Sequence, residues 1–280
     1  MHDLTIRNML PHELSIAIKW AEQEGWNPGL YDAQLFYLAD PNGFFIAEYQ
    51  GDTVAVGSAV KYNDEFAFCG LYIVAPEHRG KGFGLKLTQH RLAYCGDINI
   101  GIDGVLENVE IYKRIGYKPF YQNKRYSKPA NYLPSLTTHS IFSCRDHIKK
   151  VIDYDNQCFV AKRDNFLNAW ISQPESQAVC VIEKGQICGY AVRRKCIEGH
   201  KIGPLFADSK SVARTLLNFL QKDVEGETII LDVPENNPTA VELAEEFDMQ
   251  IVFATSRMYQ KGLPNIQHDK VFGITTFELG

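Results

Sequence analysis

One order of secondary-structure elements occurs twice in this chain of 280 residues, and that repetition limits its possible folds more than any other feature. In the first pass "LTIRNM" reads as a strand. After Pro11, the apolar residues Leu14, Ala17, Ile18 and Ala21 keep the i, i+3, i+4, i+7 spacing of an amphipathic helix. "EGWNPGL" breaks it, and "AQLFYLA" is a second, short helix. "GFFIAEY", "TVAVGSAVKY" and "EFAFCGLYIV", separated by the turns "QGD" and "ND", make an antiparallel meander. A helix through about Tyr94, a strand at "INIGI", a short helix "ENVEIYKRI" closed by Gly116 and a strand "YKPFYQNKRY" complete the pass. Residues 127–138, "SKPANYLPSLTT", carry two prolines and little periodicity, and read as a linker. The order then returns: "SIFSCRD", helices "HIKKVIDYD" and "RDNFLNAWI", the hairpin "AVCVIEK"/"ICGYAVRRK", "HKIGPLF", the helix "SVARTLLNFLQKD", "TIILDV", the helix "NPTAVELAEEF" and "QIVFATSRMY". The chain is therefore expected to hold one α+β domain twice, over residues 1–133 and 134–280. The final "DKVFGITTFELG" reads as an extra strand, expected to lie across the domain junction.

Composition narrows the function. A net charge of −5 disfavours a general nucleic-acid binder. No run approaches 18 apolar residues, and the start lacks a basic segment followed by an apolar one, so neither a membrane span nor a secretory signal is expected. Seven cysteines are scattered without a CxxC pair, which predicts reduced thiols and a cytoplasmic location. The eight histidines show no HxxxH spacing, so no metal is expected, and no GxSxG elbow is present.

The chemistry concentrates where the meander hands over to its helix, at "IVAPEHRGKGFGLKL", residues 73–87. Gly80, Gly82 and Gly84 allow a turn of exposed amides. At a helix N-terminus such amides form an anion site, to which Arg79 and Lys81 add charge. A phosphate or pyrophosphate suits it. The ATP-binding P-loop pattern fails because Gly82 follows Lys81, and the dinucleotide pattern GxGxxG fails on its spacing.

"VAPEHRGKGFGLKL" resembles the acetyl-CoA-binding motif of the GNAT superfamily of N-acetyltransferases, Arg/Gln-x-x-Gly-x-Gly/Ala, with Arg79, Gly82 and Gly84 filling the pattern. "EGWNPGLYD", "FYLADPNGFFIA", "HKIGPLFAD", "LDVPENNP" and "VFGITTFELG" further resemble a subgroup with a GNAT domain followed by a GNAT-like one, which covers nearly the whole chain. The resemblance implies tandem acyl-CoA N-acyltransferase folds, each a mixed central sheet flanked by helices, with a splayed strand pair that holds pantetheine. It places the pantetheine contacts near Ile73 and Val74, and the pyrophosphate on Arg79, Gly80, Lys81, Gly82, Phe83 and Gly84. The implied donor is acetyl-CoA, and the implied acceptor is an amine of a small molecule or peptide, attacking directly; no cysteine looks placed as an acyl carrier.

An acyl transfer to an amine needs an acid for the departing thiolate and a base for the amine. In "NVEIYKRIGYKPF", Tyr112 stands four residues before Gly116 and Tyr117, as the family's acid tyrosine does. The family's cofactor-binding Asn is replaced by Val105, and Asn108 stands where the family has Ala, which leaves Asn108 as a candidate substitute. Glu65 is the candidate base, ahead of Asp64 and Glu48. Trp26 and Asn27 fall where the family's substrate loop lies. The second half lacks the glycine series at "ADSKSVARTLL", and Ala244 stands in place of the acid, so a cofactor site is not expected there; Asp232, Glu235 and Arg257 are candidates to line a shared acceptor cleft. The rival to an enzyme is an acyl-CoA-binding sensor or scaffold, which would not need Tyr112.

Overall fold

The structure, a computed structural model, describes residues 4–280. The first half runs β1 (Thr5–Asn8), α1 (Leu14–Gln23), α2 (Asp32–Ala39), β2 (Phe44–Tyr49), β3 (Asp52–Lys61), β4 (Phe66–Val74), α3 (Phe83–Cys95), β5 (Asn99–Val105), α4 (Val109–Arg114) and β6 (Lys118–Pro129). The second repeats it as β7 (Ile141–Ser143), α5 (Ile148–Cys158), α6 (Asp164–Ser172), β8 (Ser176–Glu183), β9 (Gln186–Lys195), β10 (His200–Ala207), α7 (Lys210–Phe219), β11 (Thr228–Pro234), α8 (Pro238–Glu246) and β12 (Gln250–Tyr259). A last strand, β13 (Val271–Gly273), has no counterpart among the described residues of the first half.

The two halves do not close separate sheets. All strands belong to one sheet in the order β1-β2-β3-β4-β5-β12-β6-β11-β10-β9-β8-β7, with β13 paired to β10. The last strands are exchanged: β12 pairs with β5 of the first half, β6 pairs with β11 of the second, and β6 and β12 pair with each other. The division at 133/134 is thus a division of sequence that the hydrogen bonding crosses. The same exchange shortens the expected linker. Ser127, Lys128 and Pro129 belong to β6 because Ile230, Ile229 and Thr228 pair with them, a long-range partner that local periodicity does not report.

Helices α3 and α4 cover one face of the first half, where Phe45, Ala55, Cys69, Leu87, Ile102 and Tyr117 share a core. On the opposite face α1 and α2 share a single core with α5 and α6 of the second half, and Phe36 stacks on Trp170 at 6.3 Å. This packing fixes the halves against each other, apart from any linker.

Two interruptions position the site. Strands β4 and β5 run parallel only from Phe66/Asn99 to Cys69/Ile102 and then part. Just past that point β4 carries a bulge, where Leu71 adopts φ 46° and Leu71 and Tyr72 oppose Gly57 alone. A bulge bends its strand and re-aims the residues beyond it. Strands β10 and β11 likewise part after Ile202/Leu231.

Candidate active site

The cleft grows out of the β4/β5 splay. It has a volume of about 850 Å³ and runs from the glycine loop, between α3 and α4, through the splay to residues of the second half. Gly80 and Gly82 adopt φ 76° and 82°, in the left-handed region that favours glycine, and a Cβ on either would meet open space. The backbone conformation is therefore what requires glycine at these two positions. Gly84 is required by contact: a Cβ there would lie 2.1 Å from the Tyr72 hydroxyl. Among the described residues, no protein acceptor takes the amides of residues 80–85, whereas the next amide, of Lys86, reaches the Gly82 carbonyl at 3.2 Å. Those amides are free to receive an anion at the start of α3.

Arg79 lines the cleft, but its side chain is engaged: Nε donates to the Val74 carbonyl at 3.0 Å and Nη2 pairs with Glu24 at 2.5 Å. Both partners of that ion pair are substantially exposed, and pairs of this kind contribute little, so an incoming phosphate can compete for the guanidinium. Lys81 is exposed and does not line the cleft. Val74 and Ile73 differ from each other. The Ala75 amide donates to Val54 of β3, and the alternation of an antiparallel ladder turns the Ile73 amide to β3 as well and the Val74 amide into the splay. Val74 can therefore bond a ligand arm, and Ile73 is corrected from a polar contact to a wall.

Tyr112 lies on α4 with its ring over β5, where Gly104 makes room for it: a Cβ on Gly104 would fall 2.4 Å from the ring. Burial pushes its pKa up, while the nearby Asn108 side chain and the Arg91 guanidinium pull against that, and the net shift is upward. A phenol in this setting stays protonated at neutral pH and can donate. Asn108 lines the cleft at the foot of α4.

The far side of the splay is built jointly. Trp26, Arg125, Phe253, Thr255, Phe277 and Glu278 line it, the last four from the second half. Arg125 is held by Asp232 through two bonds of 2.7 and 2.8 Å, donates to the Trp26 carbonyl at 3.1 Å, and lies 4.6 Å from the Phe277 ring centre. Beside it Arg257 is paired with the buried Asp103 at 2.7 Å. Asp232 and Arg257 therefore serve the chamber as supports for Arg125 and Asp103, and Glu235 is outside it, paired with Lys124 at 3.1 Å.

Three expectations are corrected here. Glu65 is exposed in the turn before β4, at the end of the strand away from the glycine loop, and does not line the cleft. Asp64 shares that turn, and Glu48 is occupied by Arg7 at 2.7 Å. Among the described residues four carboxylates line the cleft; Glu24 and Asp103 are held by Arg79 and Arg257, Glu107 is at the α4 end, and Glu278 is the buried one on the far side of the splay, its carbonyl closely opposed to Gly70 of β4. Asn27 is turned away from the cleft: it exchanges two hydrogen bonds, 2.8 and 2.9 Å, with the backbone of Glu198 and so ties the Trp26 loop to the second half. Finally, Cys69 lines the cleft, so a cysteine is placed where an acyl carrier could stand, which the sequence did not lead one to expect. Arg91 and Cys69 escaped sequence reasoning; the available signal was Arg91 itself, which interrupts the buried stripe Phe83, Leu87, Cys95 of α3.

The second splay is filled. β13 pairs with Leu205 and Phe206 of β10, and the Ile274 amide donates to Asp232 of β11 at 2.9 Å. A Cβ on Gly203 would strike the Thr275 carbonyl at 2.4 Å. At the start of α7 the Ser209 hydroxyl accepts from the Val212 amide at 3.3 Å, so that end is capped by its own side chain.

A family model for the "Acetyltransferase (GNAT) family" matches residues 12–117, and one for an "Acetyltransferase (GNAT) domain" matches residues 151–273. The chain is 30% identical over 270 residues to the holothin acyltransferase of Pseudoalteromonas sp. (strain SANK 73390), covering 96% of this chain and 92% of that protein. It superposes on the crystal structure of a putative acetyltransferase from Pyrococcus horikoshii with a TM-score of 0.83 at 20% identity, covering 99% of this chain and 96% of that one. A tandem GNAT protein from the clavulanic acid biosynthesis pathway gives a TM-score of 0.65 at 10% identity, over 94% and 100% of the two chains.

Proposed function

The chain is a tandem member of the GNAT acyltransferase family, and from that premise we propose that it moves an acyl group from coenzyme A to an amine by direct attack. The observation that carries the reading is the continuity of one cleft from the free amides of residues 80–85, past the Tyr112 ring, to the Glu278 carboxylate on the other side of the splay. The free amides and Arg79 fit a pyrophosphate, and the Val74 amide fits a pantetheine arm. Coenzyme A, when bound, supplies an acyl thioester; acetyl-CoA is the donor read from the sequence. Tyr112 holds the proton that the departing sulfur takes. Glu278, in place of Glu65, takes the proton that the amine loses, directly or through water. The relative named for holothin favours a small-molecule acceptor over a peptide. The second half completes the acceptor chamber without holding a second donor. All seven cysteines are free, which accords with a reducing, cytoplasmic setting.

The test is titration of coenzyme A and acetyl-CoA, followed by thiol release across a panel of small amines. Tyr112→Phe should lower turnover by about 100-fold with the donor affinity kept, whereas a sensor would show binding and no turnover at all. Direct attack further requires that Cys69→Ala keep its turnover; an acyl–Cys69 adduct in the wild type would replace this mechanism with a two-step one. Absence of coenzyme binding would end the proposal.

A further inference from the structure

Six arginines of the chain are buried, and five of them show what a buried guanidinium needs. Arg125, Arg163, Arg194 and Arg257 are each held by an aspartate, namely Asp232, Asp155, Asp32 and Asp103. Arg193, without a paired carboxylate among the described residues, donates from Nη1 to the Leu220 carbonyl at 2.6 Å and leaves only Nε unpartnered. Arg91 is the sixth, 6% exposed, and among the described residues no carboxylate pairs with it; its Nε and Nη1 have no hydrogen-bond partner. A buried guanidinium is costly without a well-placed acceptor, and a carboxylate brought by a ligand would supply the one that the described side chains do not.

The surroundings are shaped for that side chain. A Cβ on Gly57 would lie 3.0 Å from its Cδ and Nη1, so glycine there leaves the room it occupies. The Tyr72 ring covers it, 5.1 Å from the guanidinium carbon. Cys69 and Tyr117 are its other neighbours; neither is a carboxylate, and Cys69, whose thiol Cys95 and Arg91 together hold below its ordinary range, is the one counter-charge that the described residues offer it. Arg91, Cys69, Tyr117 and Ile102 together line the closed end of the cleft, where β4 and β5 meet.

Position decides what can reach it. Arg91 follows Phe83 by eight residues on α3, about 12 Å along the axis, beyond a pyrophosphate bound at the glycine loop. It also lies on the α3 face of the sheet, whereas the acceptor chamber is on the other side of the splay. The group that extends toward it is therefore the acyl group of the donor. Resting on the proposed acyl-CoA reading, we infer that this cleft selects an acyl group ending in a carboxylate, the half-thioester of a short dicarboxylic acid, and that Arg91 is its anchor. The transfer is otherwise unchanged: the amine nitrogen bonds to the carbonyl carbon, the carbon–sulfur bond breaks, the sulfur leaves with the electron pair and takes the Tyr112 proton, and the distal carboxylate takes no part.

The experiment is calorimetric titration of the full chain with coenzyme A, acetyl-CoA, succinyl-CoA and butyryl-CoA, the last being close to succinyl in size and neutral. The wild type should bind succinyl-CoA about tenfold or more tighter than butyryl-CoA, as expected for a desolvated guanidinium–carboxylate pair. Arg91→Gln should erase that ratio while keeping the affinity for coenzyme A, and Arg91→Lys should restore part of it. Equal affinities for the two acyl-CoAs in the wild type would overturn the inference even if neither variant folds, and so would a ratio that survives Arg91→Gln. If coenzyme A binds and only the ratio fails, the acyltransferase reading stands without this anchor; if coenzyme A itself does not bind, both fall.

Discussion

The two splays of this molecule have the same parentage and opposite contents. In the first, β4 and β5 part after Cys69/Ile102 and leave a cleft whose loop amides have no protein acceptor. In the second, β10 and β11 part after Ile202/Leu231, and the chain's own β13 enters to pair with β10 and to bond Asp232 of β11. A splayed pair exposes backbone donors and acceptors that need partners. The fold creates the slot; whether it becomes a site depends on whether a ligand or the polypeptide meets that need. The strand that fills the second slot also continues into the first cleft as Phe277 and Glu278, so the filled slot helps to build the open one.

The largest expected effect breaks this contrast at the loops. Gly82→Val forces a β-branched residue into a left-handed conformation and covers the free amides. Affinity for coenzyme A should fall by about a thousandfold, the loss of several charge-assisted amide bonds. Ser209→Ala, at the corresponding start of α7, should leave that affinity unchanged and cost about 1 kcal/mol of stability, as for other lost caps. Calorimetric titration and urea unfolding of the two variants measure both.

The next effect opens the filled slot. Gly203→Ala places a methyl against the Thr275 carbonyl, so β13 must shift. A cost of about 3 kcal/mol is expected, in the range for overpacking a core. Because β13 leads into Phe277 and Glu278, acceptor KM should rise although residue 203 is in the other half. Unchanged KM with reduced stability would show that the tail holds its place in the first cleft independently of β13.

A smaller effect separates charge from shape at the tail. Glu278→Gln keeps the volume and the backbone contact with Gly70, and should lower turnover about tenfold or more with donor affinity unchanged, as for a base acting through water. Turnover at the wild-type level would remove Glu278 from proton transfer.

Much of this was legible in the sequence, for a physical reason in each case. The order of elements follows from local periodicity, and the glycine loop from the conformations that only glycine adopts readily. The second half lacks the glycine series and carries Ala244 where the acid would stand, and there β13 occupies the splay. Three things were not legible. The exchange of β6 and β12 depends on pairing between residues about a hundred positions apart or more, which no local pattern encodes. Glu65 begins the segment that leads into the glycine loop, yet the nine residues of β4 carry the chain away from it before the loop starts. Glu278 and Arg91 are given their roles by what packs against them; of the two, only Arg91 left a trace, as a charged residue on a buried helix face.

The smallest expected effect concerns the seam between the halves. Lys201 on β10 is buried and donates to the Trp26 carbonyl at 3.0 Å, so a cation of the second half pins the acceptor loop of the first. Burial, aided by the nearby Arg125, pushes its pKa down to about 8 from 10.5. Below pH 8 both folded and unfolded chains hold the proton, and the burial penalty is fully present. Between pH 8 and 10.5 the unfolded chain holds the proton and the folded one does not, so stability rises with pH through this window. From pH 7 to 9 the wild type should therefore gain about 1 kcal/mol relative to Lys201→Met, in which the titrating group is absent. Urea unfolding of both proteins across that range gives the difference. A difference that stays flat would mean that water reaches Lys201, and the seam would then be a wetter and looser junction than the open and filled splays on either side of it.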